Sequence, residues 1–448
     1  MKNCKYGQYD ENSRASILKY SLLLLNKSLR DLYQEEIEKL PAEYLNPKAK
    51  GQIGTLVEKL HFEYEPNNRS EPDFPEARLE LKTTPLKISR GSYVSKERLV
   101  LGMIDYQQIV NENFDTSSFI KKNSALLLMF YLYEKDKITE QLFKLIKLWE
   151  IPEDDYEVIK QDWETIYSKI RNGKAEELSG GDTFYLEAAR KGAGKGKDLT
   201  EQPFSNLMVN RRAFAFKSKY VNLIIKEDGE LENVLDSDFI NSKKTAEEYI
   251  IQKFKPYLGK SVSELENIFN LSYSERKKDI SSVISKAILG VPQSKKIAEF
   301  EKANIQMKTV TLGKNNLVKE SMSFKRIDYH KIINEKWLNS DFYNDIVDKK
   351  FFFVIFKDNE FGIRVLEKVL FWNMPPEMRE QAREFWLDTR EKIREGETSN
   401  FWKISDNKTF HVRPKARDSK DLTTLRDGSP APKLGYWINA KIIEDIIR

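Results

Sequence analysis

Apolar residues recur along this chain with two different spacings, and each spacing predicts its own kind of element. Apolar positions three and four residues apart predict helices over residues 13–30, 50–62, 139–149 and 153–172. Alternating or continuous apolar runs predict strands over residues 77–84, 97–103, 124–133, 182–188 and 212–217. Helices and strands are thus mixed along the chain, which indicates the α/β fold class.

The order of these segments repeats after a polar stretch at residues 226–243, which is typical of a linker. Residues 79–83 are echoed at 305–309, 104–112 at 327–335, 126–130 at 351–355 and 184–186 at 410–412. Chance is a poor explanation for agreement in both order and spacing. We therefore predict two tandem copies of one domain, spanning residues 1–228 and 229–448.

One predicted strand carries candidate chemistry. Side chains two apart on a strand face the same side, so Glu80 and Lys82 point together while Leu79 and Leu81 face the core. Asp73 comes a short loop earlier and can fold back toward Glu80. Two carboxylates and one amine at one point suit a divalent cation and a phosphodiester substrate.

These residues predict a metal-dependent site. We expect Asp73, Glu80 and the main-chain carbonyl of Leu81 to ligate one Mg²⁺ ion. Glu58, on the preceding helix, ligates a second ion or holds a water, and Lys82 favours the hydroxide form of the attacking water. The alternative is a surface ladder of salt bridges on a strand edge, which contributes little to stability.

The second copy differs where this chemistry would lie. The positions that correspond to Glu58, Asp73, Glu80 and Lys82 are held, in that order, by Ser285, Glu299, Gln306 and Lys308. Two of the three acidic positions are thus neutral, and a site with one carboxylate holds Mg²⁺ poorly. We predict that the first copy is the enzyme and that the second is catalytically silent.

Composition narrows the protein classes without defining a function. The 448 residues carry a formal net charge of +5 with a pI near 8.7, so any surface for nucleic acid must be local. The single cysteine, Cys4, excludes internal disulfides and cysteine-based zinc sites, and three widely separated histidines disfavour a histidine metal cluster. The first residues lack the apolar core of a signal peptide, so we expect a cytoplasmic protein.

Basic residues near the ends of predicted strands are candidates for DNA contact. The basic loop at residues 190–197 is glycine-rich, and such a loop can lie against phosphates or enter a groove. An exposed flexible loop without DNA contact is the alternative. The candidates are Arg190, Lys191, Arg211 and Arg212 in the first copy and Arg413 and Lys415 in the second.

Taken together, these residues resemble the family of the MutH mismatch-repair nicking endonuclease and of the restriction enzymes that cut at GATC. The second half matches more faintly, best at residues 413–416 and 420–423. The stronger match spans most of residues 45–225 and rests on Lys50 to Gly54 with Glu58, on Asp73 with residues 80–83, and on residues 161–164, 190–191, 197–200 and 212–214.

The resemblance implies a restriction-endonuclease-like mixed sheet flanked by helices. It implies Mg²⁺-dependent cleavage of double-stranded DNA on the 5′ side of G in GATC, and a second domain that binds DNA without cutting. Asp73, Glu80, Lys82 and Glu58 take the family's catalytic places. Lys122 best matches a further family lysine that lies just before a strand, and Lys121 is the alternative at that place. Lys191 falls at the base-reading lysine, and Ala215 at a tyrosine that senses adenine methylation.

Two functions remain open from the sequence. The first is a type II restriction endonuclease that cuts both strands, with the second domain binding a further DNA site and activating the first. One active centre per chain then requires two chains on the DNA, as in a DNA-induced dimer, or two successive nicks. The alternative is a DNA-binding or mismatch-repair-associated protein that nicks slowly or not at all, against which the intact Asp73, Glu80 and Lys82 set argues.

Overall fold

Two units divide the chain, one spanning residues 1–179 and 183–229 and the other residues 180–182 and 230–448. The computed structural model describes residues 1–46, 51–65, 71–89, 91–191, 198–226, 230–271, 279–406 and 409–448. Lys50, residues 192–197 of the predicted basic loop and residues 227–229 of the predicted linker lie outside the described residues. Within the described ranges, no helix combines the length and the apolar character needed to cross a bilayer.

The first unit combines short helices with several small sheets. Its helices are Arg14–Ser21, Leu29–Glu38, Gln52–Leu56, Tyr106–Ile109, Ser118–Asn123, Glu153–Arg171 and Ser218–Ile225. Its strands are Lys2–Cys4, Gly7–Tyr9, Glu80–Ser89, Ser92–Ser95, Leu99–Met103, Ala125–Leu132, Leu142–Glu150, Leu186–Arg190, Leu199–Gln202, Ser205–Asn210 and Arg212–Phe216.

The four-stranded sheet that carries the candidate site is mixed. Its order is Ser92–Ser95, Glu80–Ser89, Ala125–Leu132 and Leu142–Glu150. The two central strands run parallel, with Glu80 opposite Leu126, and both outer pairings are antiparallel. The first six residues of Ala125–Leu132 are all buried, which is the pattern of a central strand covered on both faces.

A second sheet in this unit supports the candidate DNA contacts. Its strands are ordered Leu99–Met103, Arg212–Phe216 and Leu186–Arg190, and both pairings are antiparallel. The helix Glu153–Arg171 is tied to this sheet by Asp162, whose buried carboxylate accepts the N–H groups of residues 184, 185 and 186 at 2.6, 2.6 and 2.9 Å. Asp162 therefore holds the chain where the strand Leu186–Arg190 begins.

The second unit has its own helices and sheets. Its helices are Ser237–Asn241, Ala246–Phe254, Val262–Ile268, Ile280–Ile288, Ala298–Ala303, Tyr329–Ile332, Pro376–Arg394 and Ala440–Ile447. Its strands are Leu231–Glu232, Lys296–Ile297, Ile305–Leu312, Met322–Arg326, Lys350–Asp358, Arg364–Asn373, Phe410–Pro414, Leu422–Thr424, Pro430–Pro432 and Leu434–Ile438.

Strand pairing in the second unit follows the pattern of the first. Ile305–Leu312 runs parallel to Lys350–Asp358, with Gln306 opposite Phe351, and Arg364–Asn373 pairs antiparallel on the far side. As in the first unit, there is also a three-stranded sheet. Its central strand, Leu434–Ile438, lies between Met322–Arg326 and Phe410–Pro414. Both units are therefore α/β with mixed sheets.

Matching contacts also occur outside the sheets. Asp105 accepts the N–H groups of residues 107 and 108, and Asp328 accepts those of residues 330 and 331. The hydroxyl of Tyr106 donates to the carbonyl of Asn210 at 2.8 Å, and the hydroxyl of Tyr329 donates to that of Pro432 at 2.7 Å. These contacts support the correspondence between residues 104–112 and 327–335.

The helix expected over residues 139–149 is wrong. Leu142–Glu150 is a strand that pairs antiparallel with Ala125–Leu132. Its buried residues Phe143, Ile146 and Trp149 are three apart, a spacing that also suits a helix. A run this short fits either element, so the pairing with a buried strand decided its conformation.

The helix expected over residues 13–30 is interrupted. Asn26 adopts a left-handed φ of 61°, which a continuous helix does not permit. Ser28 then begins the helix Leu29–Glu38 with a capping box, in which Asp31 bonds back to the Ser28 N–H.

Candidate active site

A tight turn brings Asp73 against the strand that carries Glu80. The turn over residues 74–79 closes with two main-chain hydrogen bonds of 3.0 and 3.1 Å, and Arg78 takes a left-handed φ of 48° within it. The carboxylate of Asp73 accepts the N–H of Leu81 at 2.8 Å. The N–H of Asp73 donates to the carboxylate of Glu80 at 3.1 Å, so the two acids lie side by side.

Two lysines converge on the carboxylate of Glu80, which is 3% exposed. The Nζ of Lys82 lies 2.6 Å from Oε1 of Glu80, and the Nζ of Lys122 lies 3.5 Å from the same oxygen. Lys122 comes from the last turn of Ser118–Asn123, the helix that leads into the central strand. The two ammonium groups offset a charge whose burial would otherwise be costly.

Glu58 approaches the same region from a helix packed closely on this strand. It lies in a π-helical turn, Val57–His61, a rare form that is frequent at functional sites. Gly54 permits the close packing, because a Cβ there would lie 3.2 Å from Oγ1 of Thr83 and 4.0 Å from Oε1 of Glu58. A side chain at position 54 would therefore require the side chain of Thr83 to shift by a few tenths of an ångström.

The three carboxylates of Glu58, Asp73 and Glu80, here called the acidic cluster, repel one another. Burial, followed by the charge of Glu80, raises the pKa of Asp73 to about 7, although the hydrogen bond from Leu81 acts in the opposite direction. Burial and then Glu80 also raise the pKa of Glu58 above its usual range. A cation among these groups would relieve the repulsion.

Tyr64 is a member of this site that no sequence pattern reveals. Burial, followed by the charges of the acidic cluster, raises the pKa of its hydroxyl far above the usual range, and its main-chain N–H donates to the carbonyl of Glu58 at 3.1 Å. Among the described residues, this buried hydroxyl has no hydrogen-bond partner, and its ring packs edge-on against Phe74. A buried polar atom without a protein partner fits a site that takes up water, an ion or a phosphate oxygen.

The donor atoms fit a hard divalent cation such as Mg²⁺, which prefers oxygen ligands. Asp73 and Glu80 present adjacent carboxylates, and the buried hydroxyl of Tyr64 is available to a bound water. No three His, Cys, Asp or Glu residues in the described part of the chain lie close enough together to hold one ion. The other ligands would therefore be the carbonyl of Leu81, water and phosphate oxygen, since Mg²⁺ sites commonly use only one or two carboxylates.

A polar cleft of about 540 Å³ opens beside these residues. Its lining includes Pro72 and Lys121, the sequence neighbours of Asp73 and Lys122, together with the amide side chains of residues 108, 111 and 113. Amide groups bond to sugar and phosphate oxygens and to base edges. The lining of the cleft also includes the acids Glu71 and Glu112, so its polar contacts are of mixed charge.

Three of the candidate DNA contacts lie together at one end of the second sheet. Arg190 is exposed at the end of Leu186–Arg190, and Lys191 follows with its N–H bonded to the carbonyl of Arg211 at 2.8 Å. Arg211 is exposed just before Arg212–Phe216. Arg190 and Lys191 begin the basic loop, whose residues 192–197 are not among those described, and the N–H of Arg211 donates to the carbonyl of Asp198, just after that loop, at 2.8 Å.

Arg212 is not a DNA contact, and its prediction as one is wrong. It is 3% exposed, and its guanidinium donates to the carbonyls of Ala188 at 2.7 Å and Leu178 at 2.5 Å. Successive side chains along an extended chain face opposite sides. Because Arg211 faces solvent, Arg212 faces the interior of the unit. The Arg212 side chain thus links its own strand to the strand Leu186–Arg190, through Ala188, and to the preceding segment, through Leu178.

The second unit keeps the lysine of the site, but its acids are lost or otherwise engaged. Ser285 is buried and donates to the carbonyl of Ser281 at 2.7 Å. Glu299 is also buried, and its carboxylate accepts the N–H groups of Val234 and Leu235 at 2.9 to 3.0 Å. These bonds commit Glu299 to holding the chain. Position 306 has no charge at all.

Arg413 and Lys415, the candidate DNA contacts of the second unit, lie beside Trp437. The guanidinium carbon of Arg413 is 4.9 Å from the centre of that ring, and the Nζ of Lys415 is 5.9 Å from it. Arg413 is exposed, whereas Lys415 is half-buried. Stacking on an indole holds both cations in place.

The fold and the site define a class. An Asp, Glu and Lys set at the start of the parallel pair in a mixed sheet, with a glutamate from a closely packed helix, is the arrangement of the restriction-endonuclease-like nucleases. The sequence family described as "DNA mismatch repair enzyme MutH" matches residues 62–162 and 290–384, once in each unit. The type II restriction enzyme Sau3AI of Staphylococcus aureus is 35% identical over 436 residues, which cover 89% of this chain and 88% of that enzyme.

Relatives that match a shorter part of the chain come from mismatch repair. The DNA mismatch repair protein MutH of Shewanella woodyi is 27% identical over 180 residues, which cover 39% of this chain and 76% of that protein. The MutH protein of Shewanella baltica is 26% identical over 182 residues, covering 40% of this chain and 79% of its own. The chain belongs to the MutH-related family of type II restriction enzymes, which are site-specific deoxyribonucleases.

Proposed function

We propose that the first unit cleaves double-stranded DNA at GATC, on the 5′ side of the G, in a Mg²⁺-dependent reaction. The observation that carries this proposal is the side-by-side placement of Asp73 and Glu80, with the Nζ of Lys82 at 2.6 Å from Glu80. The base sequence is what the resemblance to the family implies.

Each residue of the proposed site has its own role. Asp73, Glu80 and the carbonyl of Leu81 would hold Mg²⁺, which supplies charge neutralisation at the phosphate and the leaving oxygen. The ammonium group of Lys82 favours the hydroxide form of the attacking water, because a nearby positive charge stabilises an anion. Lys122 adds a second positive charge near the developing negative charge. Glu58 holds a second ion or orients a water.

The second unit is the proposed effector. In this proposal residues 1–228 and 229–448 are tandem copies of one domain, and the second copy binds a further DNA site without cutting. Its strand pairing matches that of the first unit, while Glu299 is committed to main-chain bonds and Gln306 is neutral. One active centre per chain then cuts both strands through a dimer on the DNA or through successive nicks.

Supercoiled plasmids that carry one or two GATC sites test both parts of the proposal. With Mg²⁺, linear products cut at GATC support the restriction enzyme, and plasmid that stays supercoiled overturns it. Products that stop at the open-circular form favour the nicking alternative. Faster cleavage of the two-site plasmid at equal site concentration supports the effector role, whereas equal rates count against it.

Cleavage should demand more Mg²⁺ as the pH falls below about 7. Asp73 must be ionised to hold a cation, and its pKa in the metal-free protein is raised to about 7. Protons therefore compete with the metal, and the Mg²⁺ concentration for half-maximal cleavage should rise by up to about tenfold per pH unit below that value. Mg²⁺ titrations at pH 6, 7 and 8 measure this. An unchanged requirement would show that the pKa of Asp73 is not raised into this range.

Replacing Lys191 by Ala should weaken discrimination for the site. If its ammonium group bonds to a base edge, the preference for GATC over a duplex with one changed base should fall by about 1–3 kcal/mol. Competition binding in Ca²⁺ measures the preference directly. Lys19→Ala removes an exposed lysine from the helix Arg14–Ser21 and serves as the control. Equal loss of affinity for both duplexes would instead assign Lys191 to phosphate.

A further inference from the structure

Two lysines of the second unit, here called the basic cluster (Lys308 and Lys415), lie at the position that corresponds to the candidate site of the first unit. Lys308 takes the place of Lys82, and its Nζ donates to the carbonyl of Ser323 at 3.4 Å. The Nζ of Lys415 donates to Oγ of Ser323 at 3.3 Å and to the carbonyl of Phe324. The ammonium group of Lys308, on the strand Ile305–Leu312, and that of Lys415, just after the strand Phe410–Pro414, thus both contact Ser323.

The positive charges of this cluster act on one another. Burial, followed by the charges of Lys415 and Lys349, lowers the pKa of Lys308 to about 8. Burial lowers the pKa of Lys415 as well. Positive charges held close together in a half-buried site favour the binding of an anion.

The nearby acids leave this charge in place. Glu299 is engaged by main-chain N–H groups. Gln306, two residues before Lys308 and on the same face of the strand, is neutral. Asp345 lies 3.8 Å from the Nζ of Lys349 but also accepts a bond of 2.7 Å from Lys325, which carries a positive charge of its own. The position in the second unit that corresponds to the proposed metal site of the first unit is therefore positively charged.

We propose that the basic cluster binds a phosphate group of the DNA backbone directly, without a metal ion. Lysine ammonium groups are point charges that suit phosphate oxygens. Exposed Arg413, held on Trp437 at 4.9 Å, extends the same surface toward Lys415. The proposal rests on the proposed function of the second unit as a DNA-binding copy. It adds the atoms that make the contact and their independence from metal.

Metal-free DNA binding by the full chain tests this contact. In EDTA the acidic cluster of the first unit repels phosphate, so the second unit should dominate the binding of a GATC duplex. Lys308→Gln should weaken that binding several-fold and lower the slope of log affinity against log salt by about one. The control Lys319→Gln removes a lysine paired with Asp358 at 2.6 Å and should leave the slope close to its parental value.

A second variant separates charge from packing. Gln306→Glu keeps every lysine and restores an acid beside Lys308, so metal-free binding should fall by a similar factor. Thermal unfolding shows that each variant is folded. If both variants bind DNA in EDTA with parental affinity and slope, the proposal is wrong.

Two further outcomes identify the ligand and the unit. If Lys308→Gln weakens the binding of inorganic phosphate but leaves DNA binding unchanged, the ligand is free phosphate and the proposal is wrong. Plasmid cleavage in Mg²⁺ by the parental chain reports on the presence of the nuclease activity proposed for the first unit. Failure of the proposed nuclease function therefore shows as missing cleavage, and failure of this inference shows as an unchanged metal-free salt slope.

Discussion

Replacing Asp73 by Asn should abolish DNA cleavage while leaving the metal-free protein at least as stable as before. The change removes one of two adjacent carboxylates proposed to hold the cation, and we expect the rate in Mg²⁺ to fall by about a thousandfold or more. Glu80→Gln should give a similar loss. Binding of a GATC duplex in Ca²⁺ should fall much less than cleavage, because the basic residues proposed to contact phosphate are unchanged.

The stability of the Asp73→Asn variant follows from the raised pKa. Because the folded pKa of about 7 lies above the ordinary value of 3.8, Asp73 contributes stability in acid, below the ordinary value. That contribution is lost as the pH rises through about 7, so the ionised group is unfavourable at pH 8. Asn removes the charge and keeps an oxygen that can accept the N–H of Leu81. In the parental chain Asp73 accepts that N–H at 2.8 Å.

Three measurements check this prediction. Plasmid cleavage in Mg²⁺, duplex binding in Ca²⁺ and thermal unfolding in EDTA at pH 8 are compared between the variant and the parental chain. Asp154→Asn makes the same chemical change at an exposed position in the first turn of Glu153–Arg171 and should cleave normally. Normal cleavage by the Asp73 variant would refute the site, and a lower unfolding temperature would refute the electrostatic account.

Arg212→Ala should destabilise the first unit strongly. The variant loses two charge-assisted hydrogen bonds and leaves the carbonyls of Ala188 and Leu178 without those donors in residues that are 3% and 2% exposed. It also opens a cavity where the guanidinium packed. We expect the free energy of unfolding to fall by about 3 kcal/mol or more.

The neighbouring arginine offers a matched control. Arg211→Ala removes the same side chain from an exposed position, so stability should change by only about 0.5 kcal/mol. If Arg211 contacts a DNA phosphate, the salt slope of binding in Ca²⁺ should fall by about one. Chemical denaturation and salt titrations of both variants make the comparison. Equal stability of the two variants would contradict the structural role of Arg212.

Local patterns predicted much of the site. The alternation from Leu79 to Lys82 was enough to put Glu80 and Lys82 on one face, because the two-residue period of a strand is a property of the chain itself. The repeated order of segments likewise predicted matching sheets. The same kind of argument failed at residues 142–150, where buried residues three apart suited two elements and pairing with a distant strand chose between them.

Other features depended on parts of the chain that are far apart in sequence. The sequence of the adjacent pair Arg211 and Arg212 does not show which arginine is buried. Arg212 is the buried one, because its guanidinium donates to the carbonyls of Leu178 and Ala188. Tyr64 has no motif, and its place beside the acidic cluster follows only from packing against Phe74.

The sequence by itself determined the α/β class, the recurring order of segments and the presence of the Asp, Glu and Lys residues, because those rest on short-range periodicity and residue identity. Only the tertiary structure decided which charges are buried, which acids are committed to main-chain bonds and which lysines meet. Those outcomes depend on the long-range pairing of strands, which sets the distance and the solvent exposure that each charge experiences.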